Sequence, residues 1–235
     1  MALGDNIQAY WKFDESSGNA SDSVNGNTLT NNGTITYSAA KINNGANLGT
    51  SKYFSCGDSA SLSPTSDFSV SWWWKLNSIT SLMVPFSKWT ASGNQRSFES
   101  YYTAGNMRFG MSTTGSNEVI FGDFSWTAST ATWYHLVLTR NGSTGDSKFY
   151  VNGSQQDSTK NAATTNIYDS TGTLMIGQYD SGDGRWTDGL IDEMGMWTRV
   201  LSSTDVTDLY NGGSGNQYPF SGGATVNSAF LGFMR

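Results

Sequence analysis

The sequence carries little charge, one cysteine, one histidine and three prolines in 235 residues. Asp, Glu, Lys and Arg make up 14% of the chain, where globular proteins carry roughly a quarter. The 13 Lys and Arg form no basic run and are outnumbered by 19 Asp and Glu, for a net charge of −6. Nucleic-acid binding, which needs a basic footprint, is excluded. Cys56 alone cannot close an internal disulfide, and with His135 as the sole histidine, zinc sites built from Cys and His are excluded too. No apolar run approaches the roughly 20 residues of a membrane-spanning helix, so membrane insertion is not expected. Met1–Asn6 has neither the basic nor the apolar region of a secretory signal, which leaves a mature form or a protein used without that export route. Helical periodicity is almost absent.

What is abundant is Ser, Thr and Asn, about 80 residues or roughly a third of the chain, and aromatic residues at 14%, including 9 Trp. The first supplies polar surface without charge; the second is ample core material, so disorder is not expected. Short β-rich runs alternate with Gly, Asn, Asp and Ser at the 8–12-residue spacing of sandwiches and barrels. Alternation is cleanest in Phe68–Leu76, where Phe68, Val70, Trp72, Trp74 and Leu76 share one face and Ser69, Ser71, Trp73 and Lys75 the other. Further strands are predicted at Ile7–Phe13, Leu29–Tyr37, Trp133–Arg140, Lys148–Val151 and Leu190–Trp197. Asn141-Gly142 and Asn152-Gly153 are dipeptides that tolerate positive φ in tight turns. One helix is predicted over Ser202–Leu209, with Ser202 as cap, Asp205 closing a Ser-x-x-Asp box, and Val206, Leu209 and Tyr210 as its apolar stripe. Asn211–Gln217 reads as a linker, followed by an apolar tail with Phe220, Phe230, Leu231, Phe233 and Met234.

Ala9-Tyr10-Trp11-Lys12-Phe13-Asp14-Glu15, Phe68-Ser69-Val70-Ser71-Trp72-Trp73, Trp133-Tyr134-His135-Leu136-Val137, Phe149-Tyr150-Val151-Asn152-Gly153 and Gly189-Leu190-Ile191-Asp192-Glu193 with Trp197–Ser202 follow one another in that order. Together they resemble the concanavalin A-like lectin/glucanase superfamily, in its laminin G-like and pentraxin-like branch. The resemblance implies an all-β jelly-roll sandwich of two antiparallel sheets with one short C-terminal helix. It divides the chain into a sandwich over residues 1–210 and a linker and tail over 211–235. It also implies a structural Ca²⁺ between the N-terminal strand region and the Ile-Asp-Glu strand, at positions equivalent to Asp14, Asp22, Asn25 and Asp192. Calcium takes six to eight hard oxygens, which an Asp/Asn/Gly loop supplies; solvated Asx turns account for the same residues. Asp180-Ser181-Gly182-Asp183-Gly184 has calcium-loop spacing but lacks a later bidentate Glu.

For sugar binding, an aromatic platform flanked by planar polar side chains is needed. Trp186, with Arg185, Asp180 and Asp183, is the first choice because its flanks are too polar for a core; Trp73, Trp89 and Trp126 are further candidates. Glycoside hydrolysis needs two facing carboxyls. Glu occurs only at 15, 99, 118 and 193, no Glu-x-Asp-x-(x)-Glu strand is present, and alternation sends Asp192 and Glu193 to opposite faces, so no enzyme is expected. His135 and Cys56 read as structural. Two functions follow. One is a secreted or cell-surface glycan-binding or adhesion domain. The other, favoured by the absent export signal, low charge and apolar tail, is a bacteriophage capsid or tail decoration protein. In that case Phe220, Phe230, Leu231 and Phe233 would dock on neighbouring virion subunits. A homo-oligomer is left open, as is a tail that covers its own sandwich.

Overall fold

The structure is a computed structural model, described here for residues 1–79, 82–103, 105–162, 164–180 and 184–220. Its strands are β1 (Ile7–Trp11), β2 (Thr30–Asn32), β3 (Thr36–Ala39), β4 (Asn44–Leu48), β5 (Tyr53–Cys56), β6 (Phe68–Leu76), β7 (Phe86–Thr90), β8 (Gln95–Thr103), β9 (Asn106–Met111), β10 (Val119–Ser125), β11 (Trp133–Arg140), β12 (Asp146–Val151), β13 (Ser154–Asn161), β14 (Leu174–Ile176) and β15 (Gly189–Trp197). One helix, α1 (Ser203–Tyr210), follows. The strands form an eight-stranded sheet in the order β13-β12-β11-β6-β15-β4-β3, with β1 also on β15, and a seven-stranded sheet in the order β10-β9-β8-β7-β14-β5-β2. Every pairing is antiparallel.

The expected alternation of β6 holds. Phe68, Val70, Trp72, Trp74 and Leu76 lie in the core between the sheets, among Trp11, Phe13, Phe54, Phe86, Phe98, Phe109 and Phe149. Its other face is also covered: Trp73 is 2% exposed, with His135 at 5.1 Å and Tyr210 of α1 at 5.9 Å between ring centroids. A second apolar cluster on that face unites Tyr10, Val137, Tyr150, Trp197, Leu201, Val206 and Leu209. The stripe of a two-turn helix needs such a surface, because the helix is too short to stand alone.

α1 begins with the predicted reciprocal cap: Ser202 Oγ accepts from the Asp205 amide and Asp205 Oδ2 accepts from the Ser202 amide. The same carboxylate takes Arg199 Nη1 at 2.8 Å, while Arg199 Nε donates to the Asp5 carbonyl at 2.9 Å. Helix, last strand and N-terminus are thereby tied at one point.

Two sequence readings change. The predicted strand Leu29–Tyr37 is two strands on different sheets, β2 and β3. Gly33 and Thr34 between them take φ of 79° and 59°, which breaks the extended run. Ser154–Asn161 was not anticipated as a strand, yet it pairs with β12 through a two-residue turn in which Asn152 and Gly153 take φ of 51° and 82°.

Removing Asp205 would break the cap and strand a guanidinium that is 7% exposed. Asp205→Ala is expected to cost about 3–5 kcal/mol and Ser202→Ala only about 1 kcal/mol, both read from urea unfolding.

Candidate functional site

The outer face of the seven-stranded sheet is built from strand register. One cross-strand row runs Ser55, Met175, Ser87, Glu99, Gly110, Ile120 over β5, β14, β7, β8, β9 and β10. Two residues further along, Tyr101, Arg108 and Asp123 form a parallel row. Same-face neighbours on adjacent strands stand close enough to touch. Arg108 Nη2 accordingly meets Asp123 Oδ2 at 2.6 Å, and its guanidinium lies 5.8 Å from the Tyr101 ring centroid.

Residues 177–180 and 184–188 lie over this face. They are joined by Thr187 N donating to the Gly177 carbonyl at 3.0 Å, and Thr187 Oγ1 ties them to the Val84 carbonyl at 2.7 Å. Ser87 Oγ donates to the Gln178 carbonyl at 2.9 Å and also to the Tyr179 carbonyl. Asp180 Oδ2 accepts from the Ala91 amide at 3.0 Å. Arg185 thereby lies over the Tyr179 ring at 3.7 Å, and half-buried Trp186 is set against Tyr53 at 5.7 Å. Three of the four predicted sugar-binding residues, Asp180, Arg185 and Trp186, thus reach one place; Asp183 lies outside the described residues.

Sequence reasoning missed Glu99, Tyr101, Arg108, Glu118 and Tyr179. Glu99 is 1% exposed, and neither carboxylate oxygen has a hydrogen-bond partner. Burial pushes its pKa up to about 8; Glu118 adds to the rise, while the Tyr179 hydroxyl and Arg185 oppose it. Both Glu side chains overhang the bare backbone of Gly110, where a Cβ would stand 2.9 Å from Glu99 Oε1 and 3.3 Å from Glu118 Oε1. Glu118 is exposed. A register argument across β8, β9 and β10 would have found Glu99, Tyr101 and Arg108; no local motif marks Glu118 or Tyr179.

The four calcium positions are not brought together. The Asp22 carboxylate is consumed by five N–H donors, from Tyr10, Val24, Asn25 and Asn27 backbone and the Asn27 amide, at 2.8–3.1 Å. The Asn25 amide donates to the Gln8 carbonyl. Asp14 and Asp192 belong to a different cluster, with Glu193. There Asp192 Oδ2 accepts from the Lys41 and Ile42 amides at 3.0 and 2.9 Å, and Gln217 Nε2 bridges Asp14 and Glu193 at 2.9 and 2.5 Å. N–H donors already aimed at these carboxylates do not fit a bare cation, and among the described residues no three His, Cys, Asp or Glu side chains are grouped to hold a metal. Asp192 and Glu193 do not point to opposite faces: the strand bulges after Asp192 and Glu193 takes φ of 48°, so both turn to the outer face. Burial raises Asp192 to about 9 and Glu193 to about 7, each further raised by a neighbouring acid.

The remaining candidates are placed as follows. Trp73, Trp89 and Trp126 are buried and offer no ring to a ligand. His135 is buried, with Nε2 2.9 Å from Ser71 Oγ, and burial pulls its pKa down to about 3, so it is a neutral packing residue. Cys56 is half-buried against the core. Residues 211–220 run back over the sandwich, and Phe220 packs on its own chain, edge-on to Tyr10 at 5.5 Å and stacked on Trp197 at 6.2 Å. Phe230, Leu231 and Phe233 lie outside the described residues.

A family profile described as the concanavalin A-like lectin/glucanases superfamily matches residues 48–207. Comparison with curated proteins finds no match. Among solved structures, the binding domain of Paraclostridial mosquitocidal protein 1 superposes with a TM-score of 0.71 at 16% identity, over 89% of this chain and 52% of that one. A botulinum neurotoxin type C structure, whose cell entry is described as dependent upon interaction with two ganglioside molecules, gives 0.68 at 16% identity over 89% and 51%. Domain 4 of AbnA, a GH43 extracellular arabinanase from Geobacillus stearothermophilus, solved with arabinotriose, gives 0.66 at 23% identity over 86% and 97%. The chain spans about half the length of the toxin chains and nearly all of the arabinanase domain. At these identities the likeness shows the fold.

A carboxyl with a raised folded-state pKa binds more protons folded than unfolded, so its contribution to stability falls as pH rises. For Glu99 the loss is expected between its ordinary pKa of 4.5 and about 8. In Glu99→Gln the decline in unfolding free energy over that window should be shallower than in the parent, measured by urea denaturation at stepped pH.

Proposed function

We propose that this chain, which belongs to the concanavalin A-like lectin/glucanase superfamily, is a non-catalytic glycan-binding module that takes its ligand on the outer face of the seven-stranded sheet. The observation that carries the reading is the presence there of one aromatic pair, Trp186 with Tyr53, and two ring–guanidinium pairs, Tyr179 with Arg185 and Tyr101 with Arg108, beside exposed Glu118. Rings of this kind offer flat apolar area to a sugar face at low entropic cost, and the guanidinium and carboxylate groups offer directional partners to its hydroxyls. On the opposite sheet, α1 and residues 211–220 cover the outer face around Trp73, Tyr10 and Trp197. That the superposed structures include a domain solved with arabinotriose and a ganglioside-dependent toxin is consistent with the reading.

Hydrolysis is not part of it. A retaining pair needs a nucleophile within reach of the anomeric carbon; Glu99 is 1% exposed, which bars that approach. The reading is tested by titrating an oligosaccharide panel into the parent and Trp186→Ala. The variant is expected to lose affinity on the order of tenfold or more with a stability cost of only about 1 kcal/mol. Released reducing sugar from any panel member, abolished in Glu99→Gln, would contradict the non-catalytic part.

A second reading places the sandwich on a bacteriophage capsid or tail, or at another extracellular surface, through residues 221–235. The observation favouring it is the apolar set Phe230, Leu231, Phe233 and Met234 in that segment. Since Tyr218 and Phe220 already pack on the sandwich, the informative deletion starts at Ser221. It is expected to leave the melting temperature unchanged and abolish attachment to particles.

A further inference from the structure

The charge on the outer face of the seven-stranded sheet bears on which glycans it accepts, an inference that rests on the glycan-binding reading above. Four acids surround the face: Glu99, Glu118, Asp123 and Asp180. Two guanidiniums stand among them, and neither projects as an anion clamp. Arg108 is held by Asp123 through Nε at 3.2 Å and Nη2 at 2.6 Å. Arg185 lies flat over the Tyr179 ring at 3.7 Å, near enough to Glu99 to lower its pKa. The whole chain adds a net charge of −6.

Within this group Glu99 stands out, since both of its carboxylate oxygens are buried and unpartnered. Buried acceptors without donors are costly, and the Tyr179 hydroxyl and Arg185 stand near Glu99 without closing a hydrogen bond to it. The backbone of Gly110 lies beneath the two Glu side chains, and its missing side chain leaves them room. Glu118 faces solvent at the outer edge of that notch.

We infer that the ligand is a neutral glycan, one of whose hydroxyl pairs donates to the Glu118 carboxylate above Gly110, and that the surrounding acids exclude sialylated, uronic and sulfated glycans. A hydroxyl bonded to an ionised carboxylate is among the stronger neutral-to-charged hydrogen bonds, and two adjacent hydroxyls match its two oxygens. An anionic sugar would meet the like charge of exposed Glu118, which is how binding sites reject a wrong partner. Glu99 lies under Glu118 at the same notch, where both side chains approach the Gly110 backbone.

The test is a glycan array carrying neutral trisaccharides, arabinotriose among them, beside sialylated, uronic and sulfated counterparts, followed by titration calorimetry of the hits. The parent is expected to bind neutral glycans at least tenfold more tightly than any acidic one. Glu118→Lys, a substitution at an exposed position, is expected to weaken neutral binding at least tenfold and to raise acidic-glycan binding above the parent. Glu118→Gln, which keeps the shape, should weaken neutral binding without that gain. If the parent binds acidic glycans as tightly as neutral ones, or Glu118→Lys leaves neutral affinity unchanged in a protein that melts normally, the inference is overturned while the glycan-binding reading stands. Binding to no glycan of either class would overturn both.

Discussion

The arrangement turns on β6, a strand buried on both faces at the middle of its sheet. Its three consecutive tryptophans force that outcome: Trp72 and Trp74 must fill the gap between the sheets, and Trp73, on the opposite pleat, must then be covered by something else. Tyr210 of α1 and His135 supply that cover, with Lys41 lying 4.5 Å over the same indole. Apolar area of this size outweighs the cost of leaving the Trp72 and Trp74 ring N–H groups unpartnered. Once the helix and residues 211–220 are committed to the eight-stranded sheet, the outer face of the other sheet is left open to a ligand.

Much of the fold was legible because local and tertiary demands agree. Phe68–Leu76 alternates cleanly, Ser202 and Asp205 cap a helix in the expected way, and Asn152-Gly153 turns where such a pair should. The strand Ser154–Asn161 was not legible, since Ser-Gln-Gln-Asp-Ser-Thr-Lys-Asn has no apolar alternation and owes its conformation to β12. Asp192 and Glu193 misled for a related reason: alternation presumes unbroken pleating, and a bulge is invisible in composition. At the candidate site, Trp186, Arg185 and Asp180 could be singled out because polar flanks around a tryptophan are a local anomaly. Glu99, Glu118 and Gly110 are brought together only by register across β8, β9 and the start of β10, which no single stretch of sequence encodes.

A chain with so few charges uses most of its buried ones as ties. Lys88, fully buried, is satisfied by Asp58, Ser63 and the Ser170 carbonyl at 2.6–2.7 Å. Arg140 reaches the Ser66 and Thr165 carbonyls at 2.6 and 2.7 Å. Asp205 takes Arg199, and Gln217 joins Asp14 to Glu193. Each removes a desolvation penalty that an isolated charge would carry. Glu99 breaks this habit, with neither carboxylate oxygen in hydrogen-bond geometry.

The polar strand β13 has a consequence for how copies of the chain can meet. It is the outermost strand of its sheet, and an outermost strand offers free amides and carbonyls to any extended segment that drifts alongside. Here that edge is blunted: Asp157 takes φ of 65°, its carboxylate holds Lys160 Nζ at 2.9 Å, and the pairing with β12 slips near Phe149. A kinked, charged border is a poor template for intermolecular sheet growth. Crowding should therefore not join neighbouring copies of the chain through this edge.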